Sequence, residues 1–345
     1  MAGQVPASGS MPEWIRALMD ARRGGAPGGM STETFAAARA AAEMRRAGTV
    51  LVGDISNTLI TPGVLRDASM GGVVFHELLG FTAEAPAEIV RDAWRRVDDA
   101  RASVETADGA GPPEPAIDFS VVAHAPYSAA PQLFSEIART VRSAPLAVHL
   151  AESPEEIEFL RTGRGPMREL LESLGAWTDS WQAPDCDPVD YLAGLGYLRP
   201  GLLVVHGVHL TDRALERLRA AGAVLVTCPR SNVWVGAGPP RLSHFYASRV
   251  PVAIGTDSLA SAATLSLFDE LAEMRRLAPE VAAASLLESA TRVGARALGF
   301  GRDYGTLAAG KRAALVAVDV PSGVTDVEEY LVGGVPPGAV APLTG

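Results

Sequence analysis

The stretch Leu146-Ala-Val-His149-Leu-Ala-Glu152-Ser153 decides the fold: a short apolar run ends on a histidine, and an acid follows three residues later. The arrangement recurs on both sides. Upstream, Val-Val-Ala-His124-Ala-Pro-Tyr127 closes an apolar run; downstream, Val-Val-His206-Gly-Val-His209 and Ala-Ile-Gly-Thr-Asp257-Ser258 close two more. Nearly continuous apolar runs are expected of strands buried on both faces. The strand candidates are 49–53, 72–75, 119–124, 146–150, 202–206, 223–227 and 252–255. Between them lie Ala/Leu/Arg-rich segments with helix signals. Ser10-Met-Pro-Glu13 reads as a capping box opening a helix over 11–22, 32–46 ends before Gly48, and 211–221 starts at Thr211 and stops at Gly222. Strands alternating with crossover helices predict a TIM-type α/β barrel, whose strand ends assemble the site at one mouth.

Seven candidates are an awkward number for a closed eight-stranded barrel. The Gly/Pro-rich stretches 23–30 and 105–116 read as loops rather than domain boundaries. Beyond about residue 300 the pattern changes to Gly305-Thr-Leu-Ala-Ala-Gly-Lys-Arg-Ala-Ala-Leu-Val-Ala-Val-Asp319, a turn leading into one short strand. The expected organisation is a barrel over 1–302 and a remnant of a small β-domain over 303–345.

Composition removes several function classes. The formal charge of −10 leaves no basic stripe for phosphates, so a nucleic-acid partner is not expected. No run reaches the ~18 apolar residues of a membrane span, and residues 1–30 lack a signal-peptide pattern. Cys186 and Cys228 are too few for a disulfide framework, so cytoplasm is the expected compartment. Lys311 is the sole lysine, in a Gly-Lys-Arg turn, which excludes a P-loop and argues against Schiff-base chemistry.

One histidine in an apolar run is ordinarily a satisfied core residue. Three at successive strand ends, with an aspartate at another, would each need a buried partner, so a convergent site is the better reading. The bland readings stand beside it. Glu152 could be a first-turn helix acid and Asp257 an N-cap. Asn232 and Ser231 could fix a loop, Arg230 could be solvated, and Trp14 could be a core anchor. Cys228 lacks a base, and His76, His209 and His244 read as structural.

These motifs, His124-Ala-Pro-Tyr-Ser128, His149-Leu-Ala-Glu152, His206-Gly-Val-His-Leu210, Cys228-Pro-Arg-Ser-Asn232 and Gly255-Thr-Asp257-Ser258, resemble the amidohydrolase superfamily, and more closely its mononuclear metal-dependent deaminase branch. That branch includes aminodeoxyfutalosine, S-adenosylhomocysteine, guanine and cytosine deaminases and the related chlorohydrolases. The resemblance runs from about residue 10 to 320, and the Gly305–Asp319 stretch is similar to the family's entry into a small β-sandwich, with Ala314 in place of the usual aspartate. It implies that His149 and Asp257 are metal ligands, that Glu152 protonates a substrate ring nitrogen, and that His206 stands beside the attacking water. His124, Trp14, Arg230 and Asn232 would face the substrate. It also implies one divalent metal, Zn first with Fe or Mn as alternatives, because no lysine is placed to bridge two.

The chemistry suits these residue types. An aromatic C–NH₂ carbon is a poor electrophile and neutral water a poor nucleophile. A divalent metal lowers the pKa of water toward ~7, and a carboxylic acid can protonate the ring as charge develops on it. The expected function is hydrolytic deamination of an aminated purine-type compound, aminodeoxyfutalosine leading. Hydrolysis of another C–N or C–Cl bond and a non-catalytic scaffold are the rivals. The expected partner is a small molecule, with a homodimer left open.

Relatives carry His-x-His at the end of the first barrel strand, and this sequence has none. Trp14 matches residues that follow that motif, so the expectation is a barrel lacking its first strand through a truncated or mis-started reading. His149 and Asp257 would then be the only ligands left, and metal binding by residues 1–345 alone is expected to be weak.

Overall fold

The computed structural model describes residues 3–24, 30–106 and 114–343. The middles of the two predicted loops, 25–29 and 107–113, lie outside the described residues. All seven apolar runs are parallel strands. β1 (Leu51–Ser56), β2 (Gly71–Leu78) and β3 (Ile117–Ala123) pair in that order, and β4 (Ala147–Leu150), β5 (Leu203–His206), β6 (Val224–Thr227) and β7 (Val252–Ile254) form a second ladder. The core packs Phe75, Phe119, Leu146, Leu150, Leu203 and Leu225 between these strands and the helices outside them.

Helices α1 (Met11–Gly24) and α2 (Met30–Arg46) precede β1. The crossovers that follow include α3 (Thr61–Asp67), α4 (Pro86–Thr106), α5 (Pro131–Thr140) and α6 (Pro154–Thr162). Pro131 and Pro154 stand in first turns, where a missing N–H costs nothing and a fixed φ is already helical. The helix Asp212–Ala221 starts where the sequence said it should: Thr211 accepts from Ala214 N, and Gly222 closes it at φ 71°, a left-handed conformation suited to glycine.

A side chain completes the sheet between the two ladders. The fully buried Tyr197 accepts a hydrogen bond from Ala123 N at 3.1 Å and donates to Ala147 O at 3.1 Å, bridging β3 to β4. Alongside it, His149 N donates to His124 O at 2.9 Å. Tyr197→Phe strands a buried N–H and a buried carbonyl together. It should cost about 1–3 kcal/mol, read as a lower denaturant midpoint at unchanged slope.

Among the described residues β1 and β7 end their ladders and do not pair with each other, so the barrel-type sheet is open there. One helical segment reaches both edges. Ser289–Val293 packs against β7. Leu298 lies beside Gly53 of β1, where an added Cβ would sit 3.2 Å from Leu298 and 3.1 Å from Phe75. After it, β8 (Leu315–Val318) and β9 (Val340–Leu343) form a two-stranded antiparallel ribbon. Lys311 donates to Gly301 O at 2.6 Å and Tyr304 O at 3.1 Å, so the sole lysine anchors the turn that leads into this ribbon. Among the described residues no helix is long and apolar enough to cross a membrane.

Candidate active site

The strand ends place four candidate side chains together. His124 follows β3, His149 lies in β4, His206 ends β5 and Asp257 follows β7. The His124 and His149 ring centres are 4.8 Å apart, and those of His149 and His206 are 5.4 Å apart, so the three imidazoles form a row. Glu152 stands at the His206 end, with Oε1 3.4 Å from His206 Nε2. Three positions here have left-handed backbone without being glycine: Ala151 at φ 50°, His206 at φ 73° and Asp257 at φ 57°. Such strain persists where the surrounding structure over-determines a conformation, and it clusters at functional sites.

The two carboxyl groups are driven in opposite directions. Glu152 is buried, and burial, together with the nearby Asp257 and Glu156 charges, raises its pKa well above the usual carboxylate range. Asp257 is held low although burial works to raise it. The His206 imidazole counters burial when protonated, while the Ser231 hydroxyl and the Ser258 N–H donate to the carboxylate at any pH. Burial, with His149 nearby, pushes His206 down to about 3, so His206 is neutral at pH 7. The hydrogen bonds favour the ionised form of Asp257 independently of His206. Burial favours the protonated form of Glu152 and these donors the ionised form of Asp257, which suits one to an acid's role and the other to a base's.

Surrounding residues set these groups. Asn232 is buried with its amide 2.9 Å from His206 Nδ1, and whichever amide edge faces the ring, it fixes the tautomer. Glu156, opening α6, accepts from Ala151 N at 2.8 Å and Glu152 N at 2.9 Å, which pins the strained turn carrying Glu152. Burial pushes Glu156 up to about 7 against those two hydrogen bonds. Its folded pKa thus exceeds the unfolded value of 4.5, and the native state holds the extra proton between them. Stability from this group is full below pH 4.5 and declines as pH rises toward about 7. Glu156→Gln should remove that decline, worth on the order of 3 kcal/mol, so the variant's melting temperature relative to wild type should rise from pH 5 to pH 8.

Three donors meet at the other end of the row. Glu77 of β2, His124 and His149 each offer an atom within 4.8 Å of those of the other two. Glu77 Oε1 lies 3.4 Å from His149 Nδ1, is buried, and has no hydrogen-bond partner. A divalent ion fits this donor set of two imidazoles and an orphaned carboxylate oxygen. The sequence reading named only His149 and Asp257 as ligands, and Glu77 and His124 place two further donor atoms beside His149. Burial lowers the His124 pKa to about 4, which keeps its ring neutral and able to bind metal.

The remaining predicted residues lie further out. Arg230 is engaged with protein: its guanidinium donates to Thr264 Oγ1 at 3.1 Å and lies 3.5 Å from Asp269 and 3.6 Å from Glu270. Trp14 packs on a satellite cluster with Phe81, Tyr127, Phe159 and Met167, and its buried indole N–H lacks a partner. Tyr127 links that cluster to the site, edge-on to His124 at 5.7 Å. His76 faces Ser56 O, His209 faces Ala237 O, and the exposed His244 sits by Asp212. Cys228 is buried, its thiol pushed up mainly by burial. The sequence reading passed over Glu77, Asn57, Ser128 and Glu156. Glu77 carried the same signal as the others, a polar residue ending an apolar run, but the predicted strand stopped at Phe75.

Known proteins resemble this chain in sequence and in fold. Over 284 residues the chain is 30% identical to an aminodeoxyfutalosine deaminase of Deinococcus radiodurans, covering 76% of this chain and 63% of that protein. It thus spans about three fifths of that relative's length. Among solved structures, an adenosine deaminase from Xanthomonas campestris with bound zinc superposes with a TM-score of 0.77 at 22% identity, covering 98% of this chain and 73% of the other. The Helicobacter pylori aminofutalosine deaminase in complex with methylthio-coformycin gives a TM-score of 0.75 at 22% identity, covering 96% and 78%. At that identity both show the fold alone. The sequence profile described as the amidohydrolase family matches residues 6–342, and the chain belongs to that family.

Proposed function

We propose that the chain is a metal-dependent hydrolytic deaminase of an aminated purine-type compound, with aminodeoxyfutalosine the leading candidate. The observation that carries this reading is the convergence of Glu152, His206 and Asp257 beside His149 and His124, with burial raising the Glu152 pKa while Asp257 is held low. The Deinococcus relative's activity supports the substrate class. One divalent ion, zinc by the Xanthomonas precedent, would be held at His149 with Asp257. When bound it supplies Lewis-acid activation of water at neutral pH.

The chain's residues divide the remaining work. Asp257 takes a proton from the water that adds to the C–NH₂ carbon. Glu152 gives its proton to the adjacent ring nitrogen, so the electron pair displaced from the C=N bond is neutralised as it forms. His206, its tautomer set by Asn232, holds the attacking oxygen in place. Asp257 passes its proton on to the amino group, and ammonia leaves as the added hydroxyl gives its proton back to Glu152 and becomes the ring carbonyl. The compartment proposed is the cytoplasm. Ammonia release across purine nucleosides, aminodeoxyfutalosine and a chlorotriazine tests the reading. Ammonia from the purine compounds supports it, and chloride release without ammonia favours the chlorohydrolase alternative.

A further inference from the structure

Glu270 is wholly buried, and no step of the proposed reaction uses it. It stands in the first turn of the helix Leu267–Leu277 and reaches across to the six-residue helix Pro229–Trp234. Its Oε2 accepts from Arg230 N at 3.2 Å, and its Oε1, which has no hydrogen bond, lies 3.6 Å from the Arg230 guanidinium. The short helix needs such a partner. Its N-cap residue, Cys228, makes no side-chain cap hydrogen bond, so the first-turn N–H groups find no acceptor in their own cap. Burying a carboxyl is costly, and one hydrogen bond with a long ion pair offsets only part of that cost. Stability alone is a poor account of Glu270.

Two consecutive residues of the short helix meet the candidate site from behind. The buried Ser231 donates to Asp257 Oδ2 at 2.5 Å. Ser261, also buried, donates to the same oxygen at 3.1 Å and lies 2.8 Å from the Ser231 hydroxyl. The next residue, Asn232, places its amide 2.9 Å from His206 Nδ1. Asn232 N donates to Cys228 O at 3.0 Å and Val235 N to Ser231 O at 2.9 Å, so Ser231 and Asn232 move as one turn. A shift of that turn displaces both contacts together.

We propose that Glu270 is a positioning residue: it fixes the helix Pro229–Trp234 against the helix Leu267–Leu277, and through Ser231 and Asn232 it sets Asp257 and His206 at once. The inference rests on the reading that Asp257 and His206 act on the attacking water, and it assigns Arg230 to the support of the site. Burial pushes Glu270 up to about 8 against the Arg230 N–H and charge. The role survives either protonation state, because a carboxyl oxygen accepts from Arg230 N in both.

The test compares three variants of the full chain, each checked for folding by circular dichroism. Glu270→Ala removes the acceptor. Arg230→Met combined with Glu270→Leu replaces the buried pair by apolar side chains of similar size, an exchange that is often neutral or stabilising, and it removes the acceptor too. Glu270→Gln keeps an acceptor oxygen. Both variants without the acceptor should lose about 10²-fold in kcat, the scale of a ~1 Å misplacement, with KM little changed. Glu270→Gln should recover most of that loss. Without substrate, the ¹⁵N resonance of His206 Nδ1, assigned by its absence in His206→Gln, should shift or split in the double variant as the Asn232 contact loosens. Wild-type kcat in the folded double variant, or an unchanged His206 Nδ1 resonance, overturns the inference. No ammonia from the wild-type chain would sink the deaminase reading, and the His206 resonance alone would then decide the role of Glu270.

Discussion

Glu152→Gln should lower kcat by ~10²–10⁴-fold while metal content stays near wild type, because the change removes a transferable proton and little else. The glutamine keeps the shape of a side chain whose Oε1 lies 3.4 Å from His206 Nε2. It also removes a carboxyl whose ionised form burial and the Asp257 and Glu156 charges disfavour, so the folded protein should be no less stable at neutral pH. Ammonia release and elemental analysis of the same preparation check the two halves together. Retained turnover would take the acid's role away from Glu152.

Asp257→Asn should act on both quantities. Its carboxylate is proposed to accept the water's proton and to help hold the ion, so turnover should fall by ~10²-fold or more and metal content should fall with it. The amide oxygen can still accept from Ser258 N, and the amide NH₂ can donate to the Ser231 hydroxyl in place of the second oxygen, so the fold should survive. Glu152→Gln and Asp257→Asn thus separate by metal content rather than by activity. Equal metal loss in both variants would reject the division of roles.

Much of this was legible in the sequence because parallel strands buried on both faces are continuous apolar runs, and the polar residue that ends each run marks the mouth of the sheet. His149, Glu152, His206 and Asp257 were singled out that way, and the structure brings them together. What escaped depended on pairing across distance. Tyr197 reads as an ordinary tyrosine in a Gly-Leu-Gly-Tyr-Leu turn, and only the structure shows it bridging β3 and β4. Glu156 reads as a first-turn helix acid, although its carboxylate holds the Glu152 turn. Glu77 was missed because β2 runs to Leu78, three residues beyond the predicted strand end. Arg230 shows the reverse error: a cation in a site motif suggests an anionic ligand, but Asp269 and Glu270 already face it.

The most direct test of the central claim is ammonia release from aminodeoxyfutalosine by the chain loaded with one equivalent of zinc, measured beside chelator-treated protein and zinc-loaded Glu152→Gln. The account predicts ammonia in step with the deaminated product from the loaded chain, none from the chelated protein until zinc is restored, and a ~10²-fold or greater loss in the variant. Turnover that survives chelation, or that Glu152→Gln leaves intact, would contradict it.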